Sequence, residues 1–292
     1  MLSEDNLSTS EKALLRDRES RKALGVAATK GDKLRLLPHR SLTCLFYLGT
    51  KPQLLLFIHG GGFCFKSPLD DDEYCSYLRD AYGFSVLNLD FSTSAKKSYP
   101  AQLLELRKEY RRFLALETGL ANAPLYLFGL SSGANLATAL TLMLRQETIP
   151  VSGLFLGYPY LDLTRDPNTR PVFPETFPDW LLKDWTELYC PFPEVRANPL
   201  VSPLKMSSAE ATLFPKTYVI TSETDRLRDD GVAFETLLTR NGVEAFHFQV
   251  QERHGFLERN MKNVYTKPDD PGVLFAKKIT RQAFTWLLDV DK

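Results

Sequence analysis

The strongest chemical signal in the sequence is the segment GLSSG at residues 129–133, which has the G-x-S-x-G pattern of a nucleophilic serine. It follows an apolar run at residues 125–128 and precedes a helical stretch, so it falls on a strand-turn-helix unit. A serine at so sharp a turn needs a strained backbone, and the two glycines remove Cβ atoms that would collide with the crossing chain. The pattern predicts Ser131 as a nucleophile, with the N-terminus of the following helix directed at its oxygen.

A second segment, HGGGF at residues 59–63, comes directly after the apolar run Leu54–Ile58. Glycines leave backbone N–H groups unshielded, and such donors can stabilise an oxyanion together with the N–H of Ser132, the residue after the nucleophile. A flexible turn and a phosphate-binding loop are the alternatives. The phosphate loop is disfavoured because neither G-x-x-x-x-G-K-[ST] nor G-x-G-x-x-G occurs there.

A nucleophilic serine needs a general base, and the sequence has four histidines. His254 lies in the segment RHGF just past the last predicted strand, at the sheet end where catalytic loops gather, and is the predicted base. His59 belongs to the glycine loop and is expected to brace it. His39 is expected to face solvent in an early turn, and His247 to have a structural role in an alternating strand.

The acid that orients the base is expected between the nucleophile and the base along the chain. The segment SETDRLRDDG at residues 222–231 follows a predicted strand and holds four acids. Asp225 lies in the loop itself and is the predicted orienting residue. Glu223 adjoins the strand end, whereas Asp229 and Asp230 are interpreted as charges at the N-terminus of the next helix.

An alternation of strands and helices must position these segments. Buried strands separated by helices predict an α/β fold with a mostly parallel sheet and right-handed crossovers. The predicted strands are residues 54–58, 84–89, 125–128, 154–158, 218–221 and 245–250, and the predicted helices are residues 72–81, 101–117, 135–145, 231–240 and 275–288.

Two regions lie outside this alternation. The first thirty residues are predicted to be helical, with a capping box from Ser8 to Glu11 and a stop at Gly25, and two strands at 33–37 and 42–48 should flank a turn at Pro38-His39. Residues 160–215 are rich in proline and show no convincing strand. We interpret them as an excursion over the sheet, with a purely structural insertion as the alternative.

Composition excludes several classes of protein. Lys+Arg and Asp+Glu both number 36, so the net charge is zero, which argues against nucleic-acid and polybasic membrane binding. The acidic, polar N-terminus is unlike a secretory signal, and the longest apolar runs are too short to span a bilayer. The four cysteines lack CxxC spacing, which argues against a zinc site and predicts buried thiols in a reducing cytoplasm.

Two charge clusters have simple structural interpretations. The acidic residues 70–73 could suggest a metal site, but acids that open a helix complement its dipole, and no His or Cys is placed to complete a ligand set. Arg107, Lys108, Arg111 and Arg112 recur at helical spacing and are predicted to form a solvated face.

Taken together, these segments resemble the hormone-sensitive-lipase-like family of the α/β-hydrolases, the family that includes the bacterial family IV esterases. The resemblance extends from about residue 50 to the C-terminus. HGGGF at 59–63 matches the family's HGGGF, and GLSSGANLA at 129–137 is similar to its GDSAGGNLA. NPLVSPL at 198–204, DRLRDDG at 225–231 and HGF at 254–256 are similar to its N-P-x-x-SPL, DPLRDEG and HGF.

The resemblance implies one α/β-hydrolase domain over residues 1–292, with a cap built from about residues 1–30 and 160–205. It also implies the site residues: a triad of Ser131, Asp225 and His254, and an oxyanion hole from Gly61, Gly62 and Ser132.

Some residues depart from the family's pattern. DFSTSAK at 90–96 and SYPA at 98–101 stand where the family has DYRLAPE-x-x-x-PA, so the Arg and Glu of a bracing ion pair are absent. Leu130 replaces the Asp before the nucleophile, and Ser132 and Ala134 replace Ala and Gly. These departures leave every catalytic group in place and bear on substrate range and local stability.

The sequence therefore predicts a cytoplasmic serine carboxylesterase that acts on small neutral esters of short to medium chain length through an acyl-enzyme, without metal or cofactor, as a monomer or homodimer. The alternatives are an amidase or peptidase, including an arylacetamide-deacetylase-like enzyme, and a non-catalytic small-ligand receptor on the same fold. Four aromatic residues could shape the pocket or simply form the cap core: Phe173, Phe177, Trp180 and Tyr189.

Overall fold

A single eight-stranded sheet organises the protein in the computed structural model, which describes residues 7–26, 34–174 and 176–289. The strands are β1 Leu34–His39, β2 Leu42–Tyr47, β3 Leu54–Ile58, β4 Ser85–Leu89, β5 Leu125–Leu130, β6 Gly153–Gly157, β7 Thr217–Thr224 and β8 Ala245–Arg253. The helices are α1 Thr9–Val26, α2 Asp72–Tyr82, α3 Ala101–Leu116, α4 Ser132–Gln146, α5 Asp179–Tyr189, α6 Ser208–Ala211, α7 Arg228–Arg240, α8 Phe256–Met261 and α9 Pro271–Leu287.

The sheet has the strand order β1-β2-β4-β3-β5-β6-β7-β8. The pairs β1–β2 and β2–β4 are antiparallel, and all the others are parallel. This confirms the predicted α/β fold with its mostly parallel sheet. Because β5, β7 and β8 run in the same direction, the segments that follow them emerge at one edge of the sheet.

The sheet separates two apolar cores. Alternate residues of β3 face opposite sides: Leu56 lies in the core covered by α3, α4 and α7, and Phe57 lies in the core covered by α2, α8 and α9. All five residues of β3 are buried, which is why the sequence shows an unbroken apolar run where a one-sided strand would alternate. None of the helices in the described part of the chain has the length and apolar character required to cross a bilayer.

Near the N-terminus, one prediction is confirmed and another is wrong. The capping box forms, because the backbone N–H of Ser8 donates to Glu11 Oε2 (2.9 Å) and that of Glu11 donates to Ser8 Oγ (3.3 Å). The predicted turn at Pro38-His39 is wrong, because both residues lie in β1 and the chain reverses at Arg40, whose φ is 56°. Proline is tolerated because β1 is an edge strand, where a missing N–H breaks no ladder.

The region 160–215 contains no strand in its described residues, as predicted, but it is more ordered than a loop. It contains α5, whose buried residues Leu182, Trp185, Thr186 and Tyr189 recur at helical spacing. The helix was missed because Pro178 and Pro191 enclose it within a proline-rich stretch.

Candidate active site

Ser131 lies on the predicted sharp turn between β5 and α4. Its backbone has φ 55° and ψ −120°, a conformation that a non-glycine residue adopts only under constraint. A Cβ on Gly129 would lie 2.4 Å from the carbonyl oxygen of Gly133, and a Cβ on Gly133 would lie 2.2 Å from that of His59. Both glycines are therefore required sterically, which is the reason the sequence pattern carries information.

A continuous chain of hydrogen bonds joins the three predicted triad residues. His254 Nε2 lies 2.9 Å from Ser131 Oγ, and His254 Nδ1 lies 2.7 Å from Asp225 Oδ2. An ionised carboxylate can only accept, so Nδ1 donates its proton to Asp225 and Nε2 is left to accept from the serine hydroxyl. The Asp225 side chain is fully buried, and its second oxygen accepts the backbone N–H of Leu227 at 2.9 Å.

The competing acids do not reach His254. Glu223 is exposed at the end of β7, and Asp229 pairs at the surface with Arg165 at 3.3 Å. Asp230 lies in the first turn of α7, as predicted, but it also has a partner outside the helix. It is buried, and it binds the guanidinium of Arg170 through both oxygens at 2.7 and 3.0 Å.

Asp230 also holds the chain that leaves β6. One of its oxygens accepts the backbone N–H groups of Leu161 (2.9 Å) and Asp162 (3.0 Å). Burial raises the pKa of Asp230, although Arg170 and these donors favour the ionised form. No local pattern could reveal this pair, because its two residues are 60 positions apart in the sequence.

The other histidines have separate partners. His59 is buried, and its ring stacks on Phe91 at 4.4 Å between centroids, which agrees with a bracing role in the glycine loop. His247 lies in β8, where burial lowers its pKa. The prediction that His39 faces solvent is wrong, because it lies in β1 and its Nδ1 contacts the buried Glu109 carboxylate.

The glycine loop presents its backbone beside the serine. Gly61 and Gly62 have φ values of 104° and 61°. Among the hydrogen bonds of the described residues, none is donated by the backbone N–H of Gly61, Gly62 or Ser132. The side chain of Ser132 accepts the backbone N–H of Phe63 at 3.0 Å, so this departure from the family pattern ties the loop to the start of α4.

Aromatic side chains from the 160–205 region cover the site. The ring of Phe177 lies 5.0 Å from that of His254 and 5.3 Å from that of Trp185, and a Cβ on Gly62 would lie 2.3 Å from Trp185 Cε2. The centroid of the Tyr158 ring also lies 4.8 Å from that of the His254 ring. Sequence reasoning named Phe177 but missed Trp185, which the helical spacing within α5 could have indicated, and Tyr158.

The other three aromatic candidates lie elsewhere. Tyr189 stacks on Phe63 with 4.0 Å between ring centroids and forms part of the core behind the glycine loop. Trp180 is 58% exposed, and Phe173 packs beneath the Arg228 guanidinium at 5.8 Å.

The altered segment after β4 has its own bracing contacts. Asp90 accepts the backbone N–H of Thr43 at 2.6 Å. Glu105 accepts both the backbone N–H of Ser92 at 2.7 Å and the ammonium of Lys97 at 2.6 Å. The ion pair between Glu105, in α3, and Lys97, in the segment before α3, thus supports the region where the family's Arg–Glu pair is absent.

The charge clusters form ion pairs and caps. Arg107 and Arg111 both bind Glu147 at 2.6 Å, so the predicted solvated face is partly paired. In the acidic run, Asp70 caps the preceding turn through the backbone N–H of Ser67 at 2.8 Å. Across the described ranges, no group of three or more His, Cys, Asp or Glu is arranged to hold a metal ion.

All four cysteines are buried and unbridged, as predicted: Cys44, Cys64, Cys75 and Cys190. Burial raises the pKa of each thiol, that of Cys64 to about 12, so they behave as inert apolar side chains.

Comparison with known proteins places the chain among characterised folds. A family model described as the alpha/beta hydrolase fold matches residues 55–258. An arylesterase of Saccharolobus solfataricus is 27% identical over 224 residues, which cover 71% of this chain and 69% of that protein. The gibberellin receptor GID1B of Arabidopsis thaliana is 26% identical over 201 residues, covering 65% of this chain and 56% of the receptor. A hyperthermophilic esterase from Pyrobaculum calidifontis superposes with a TM-score of 0.75 at 22% identity, covering 95% of both chains, which shows a shared fold.

Proposed function

The chain belongs to the α/β-hydrolase family that this model represents, as the resemblance to the hormone-sensitive-lipase-like family predicted, and we propose that it is a serine hydrolase of carboxylic esters. The observation that carries the proposal is the hydrogen-bonded chain from Ser131 through His254 to Asp225. The similarity to an arylesterase supports the choice of ester substrates.

The geometry supports an acyl-enzyme mechanism. His254 Nε2 accepts the proton of Ser131 as its Oγ attacks the ester carbonyl, and Asp225 stabilises the imidazolium that forms. The N–H groups of Gly61, Gly62 and Ser132 stabilise the tetrahedral oxyanion. His254 then protonates the leaving alcohol, and it later activates the water that releases the acid. Side chains and backbone donors of this chain supply every group in these steps.

We propose small neutral esters of short to medium chain length as substrates. The chain has no net charge to attract a charged ligand, and Phe177 and Trp185 lie directly above the site. Two adjacent aromatic rings limit the volume available to an acyl group. A series of p-nitrophenyl esters from C2 to C12 measures this limit, and a preference for C10 or C12 would contradict it.

The proposed cap consists of about residues 1–30 and 160–205, of which 1–6, 27–30 and Glu175 lie outside the described residues. Its two parts are in contact, because Thr9 Oγ1 in α1 donates to Asp184 Oδ2 in α5 at 2.5 Å. The Asp17 carboxylate of α1 also binds Lys96 in the altered segment after β4.

The four unbridged cysteines support a reducing, cytoplasmic compartment.

The decisive experiment replaces the nucleophile. Ser131→Ala should abolish hydrolysis of p-nitrophenyl acetate and butyrate and labelling by a fluorophosphonate probe, while far-UV circular dichroism stays unchanged. Ser208→Ala, at an exposed serine in α6, is the matched control and should behave as the wild type. Undiminished turnover in Ser131→Ala would refute the mechanism.

The same assays separate the alternatives. An amidase or peptidase would cleave the anilide that matches a good ester substrate at an appreciable rate, whereas an esterase would turn over only the ester. A non-catalytic receptor, the function named for the relative GID1B, would neither turn over esters nor react with the probe. The intact Ser131–His254–Asp225 chain favours catalysis over a receptor role.

A further inference from the structure

Lys66 occupies an unusual position behind the glycine loop. Its backbone φ is 72°, in the left-handed region that is unfavourable for a residue with a side chain such as lysine. The first part of its side chain packs under the loop, since a Cβ on Gly61 would lie 3.2 Å from Lys66 Cγ. The side chain of Lys66 is only 19% exposed.

The Lys66 ammonium binds a carboxylate in the segment that follows His254. Its Nζ donates to Glu258 Oε1 at 3.3 Å. Glu258 lies in the first turn of α8, four residues after His254, and its Oε1 lies 3.2 Å from the position of a Cβ on Gly255. The ion pair therefore links the proposed oxyanion loop to the turn that carries the proposed base.

A third group fixes the orientation of Glu258. Its other oxygen, Oε2, accepts the hydroxyl of Tyr158, whose ring packs against His254 with 4.8 Å between centroids. Burial alone would raise the pKa of Glu258, but Lys66 and the Tyr158 hydroxyl outweigh burial and lower it, so Glu258 is ionised at neutral pH. Asp71 also faces Lys66, at 3.8 Å, without a hydrogen bond.

Stability alone does not account for this arrangement. A buried ion pair loses the hydration of both charges, and an apolar pair of similar volume is often equally or more stabilising. Lys66 additionally bears the cost of a left-handed backbone. What a charged pair with a defined hydrogen bond supplies is a fixed distance and direction between two loops. A strained residue that persists beside a reaction centre indicates that it has such a positioning role.

We propose that Lys66 and Glu258 are positioning residues that hold the oxyanion loop in register with His254. The inference rests on the proposed function, because it assigns the pair a role in that reaction. Neither residue touches the reacting atoms, and both act through neighbours: Lys66 through Gly61, and Glu258 through Gly255 and Tyr158. The pair therefore affects the transition state, in which the oxyanion donors and the base act together, more than substrate binding.

The experiment uses the double variant Lys66→Met/Glu258→Gln in the full-length protein. Methionine keeps the packing under Gly61, glutamine can still accept the Tyr158 hydroxyl, and no buried charge of this pair is left without its partner. For p-nitrophenyl acetate we expect kcat to fall about 10- to 100-fold, the size of effect that a small misplacement of catalytic groups produces. KM should change by less than about twofold, because the pair makes no contact with the substrate.

Two further measurements separate positioning from simple structural support. A trifluoromethyl ketone that mimics the tetrahedral intermediate should lose affinity for the double variant by the same factor as kcat/KM. Lys66→Arg, which keeps the cation, should retain most of the wild-type kcat. The control Arg111→Met/Glu147→Gln, at a surface ion pair, should leave kcat unchanged.

The outcomes are distinguishable. If the folded double variant keeps the wild-type kcat, or if the apparent kcat falls only in proportion to the loss of folded protein, the positioning role is wrong while the proposed function stands. If the wild type neither turns over esters nor reacts with a fluorophosphonate, the proposed function fails and the positioning role fails with it.

Discussion

Gly62 offers a quantitative test of the proposed oxyanion role of the glycine loop. Alanine at φ 61° carries the left-handed penalty of roughly 1–2 kcal/mol. Its methyl group would also lie 2.3 Å from Trp185 Cε2, whereas carbon atoms pack at about 3.5–4.0 Å. Relief of this overlap needs a movement of more than about 1 Å by the loop or the indole. The indole is packed, so we expect the loop to move, which takes the N–H of Gly62 out of hydrogen-bonding range of the proposed oxyanion.

We therefore expect Gly62→Ala to lower kcat for p-nitrophenyl acetate by about 10² to 10³, the effect of losing one oxyanion donor. The double variant Gly62→Ala/Trp185→Ala removes the overlap and should recover a large part of kcat relative to Gly62→Ala. Trp185→Ala alone gives the reference for the loss of the indole. These values come from steady-state kinetics, with urea unfolding as the measure of stability.

A matched control isolates the backbone penalty. Gly242 has φ 77°, and nothing lies within 4 Å of a Cβ built on it. Gly242→Ala should lower the unfolding free energy by about 1–2 kcal/mol and leave kcat unchanged. If Gly62→Ala folds and keeps kcat within about threefold of the wild type, the assignment of Gly62 as an oxyanion donor is wrong.

Three further predictions concern buried carboxylates. Asp225→Asn should lower kcat by about 10⁴, because the amide no longer holds His254 in the required tautomer; a loss under about tenfold would refute its role. Burial raises the pKa of Asp71 to about 6, so the stabilisation from its neutral form is complete below about pH 4 and is lost as the pH rises through 6. Asp71→Asn should therefore be more stable than the wild type at pH 8 but not at pH 4, as measured by urea midpoints; an equal difference at both would contradict this. Arg170→Ala leaves Asp230 buried without its partner and should cost about 3–5 kcal/mol of unfolding free energy, whereas a cost below about 1 kcal/mol would contradict the buried pair.

The hydrogen-bonded arrangement of Ser131, His254 and Asp225 could be predicted from the sequence because each position depends on local chemistry. Gly129 and Gly133 are needed by one turn, and their spacing from Ser131 is fixed by that turn alone. Asp225 and His254 each follow a buried strand, and parallel strands bring such residues to one edge of the sheet. The family and the α/β fold are confirmed. They too could be predicted because they depend on local motifs and on the alternation of strands and helices along the chain.

Residues that act across the fold could not be predicted in this way. Lys66 and Glu258 are 192 positions apart, and neither lies in a motif that indicates a partner. Trp185 lies in a helix that prolines concealed, and its contact with Gly62 depends on how the 160–205 region folds over the sheet. The wrong turn at Pro38 has the same origin, since only the sheet order makes β1 an edge strand that tolerates proline.

The Lys66–Glu258 and Arg170–Asp230 ion pairs have a common physical basis. Each pair ties an irregular segment near the candidate active site to the first turn of a helix. Strands are fixed by their ladders and helices by their apolar faces, but an irregular segment has neither. Apolar contacts alone leave it free to slide, because dispersion attraction has little directionality. Directional, charge-assisted hydrogen bonds define both distance and angle, so buried ion pairs are expected where loops must be placed accurately, even at a cost in stability.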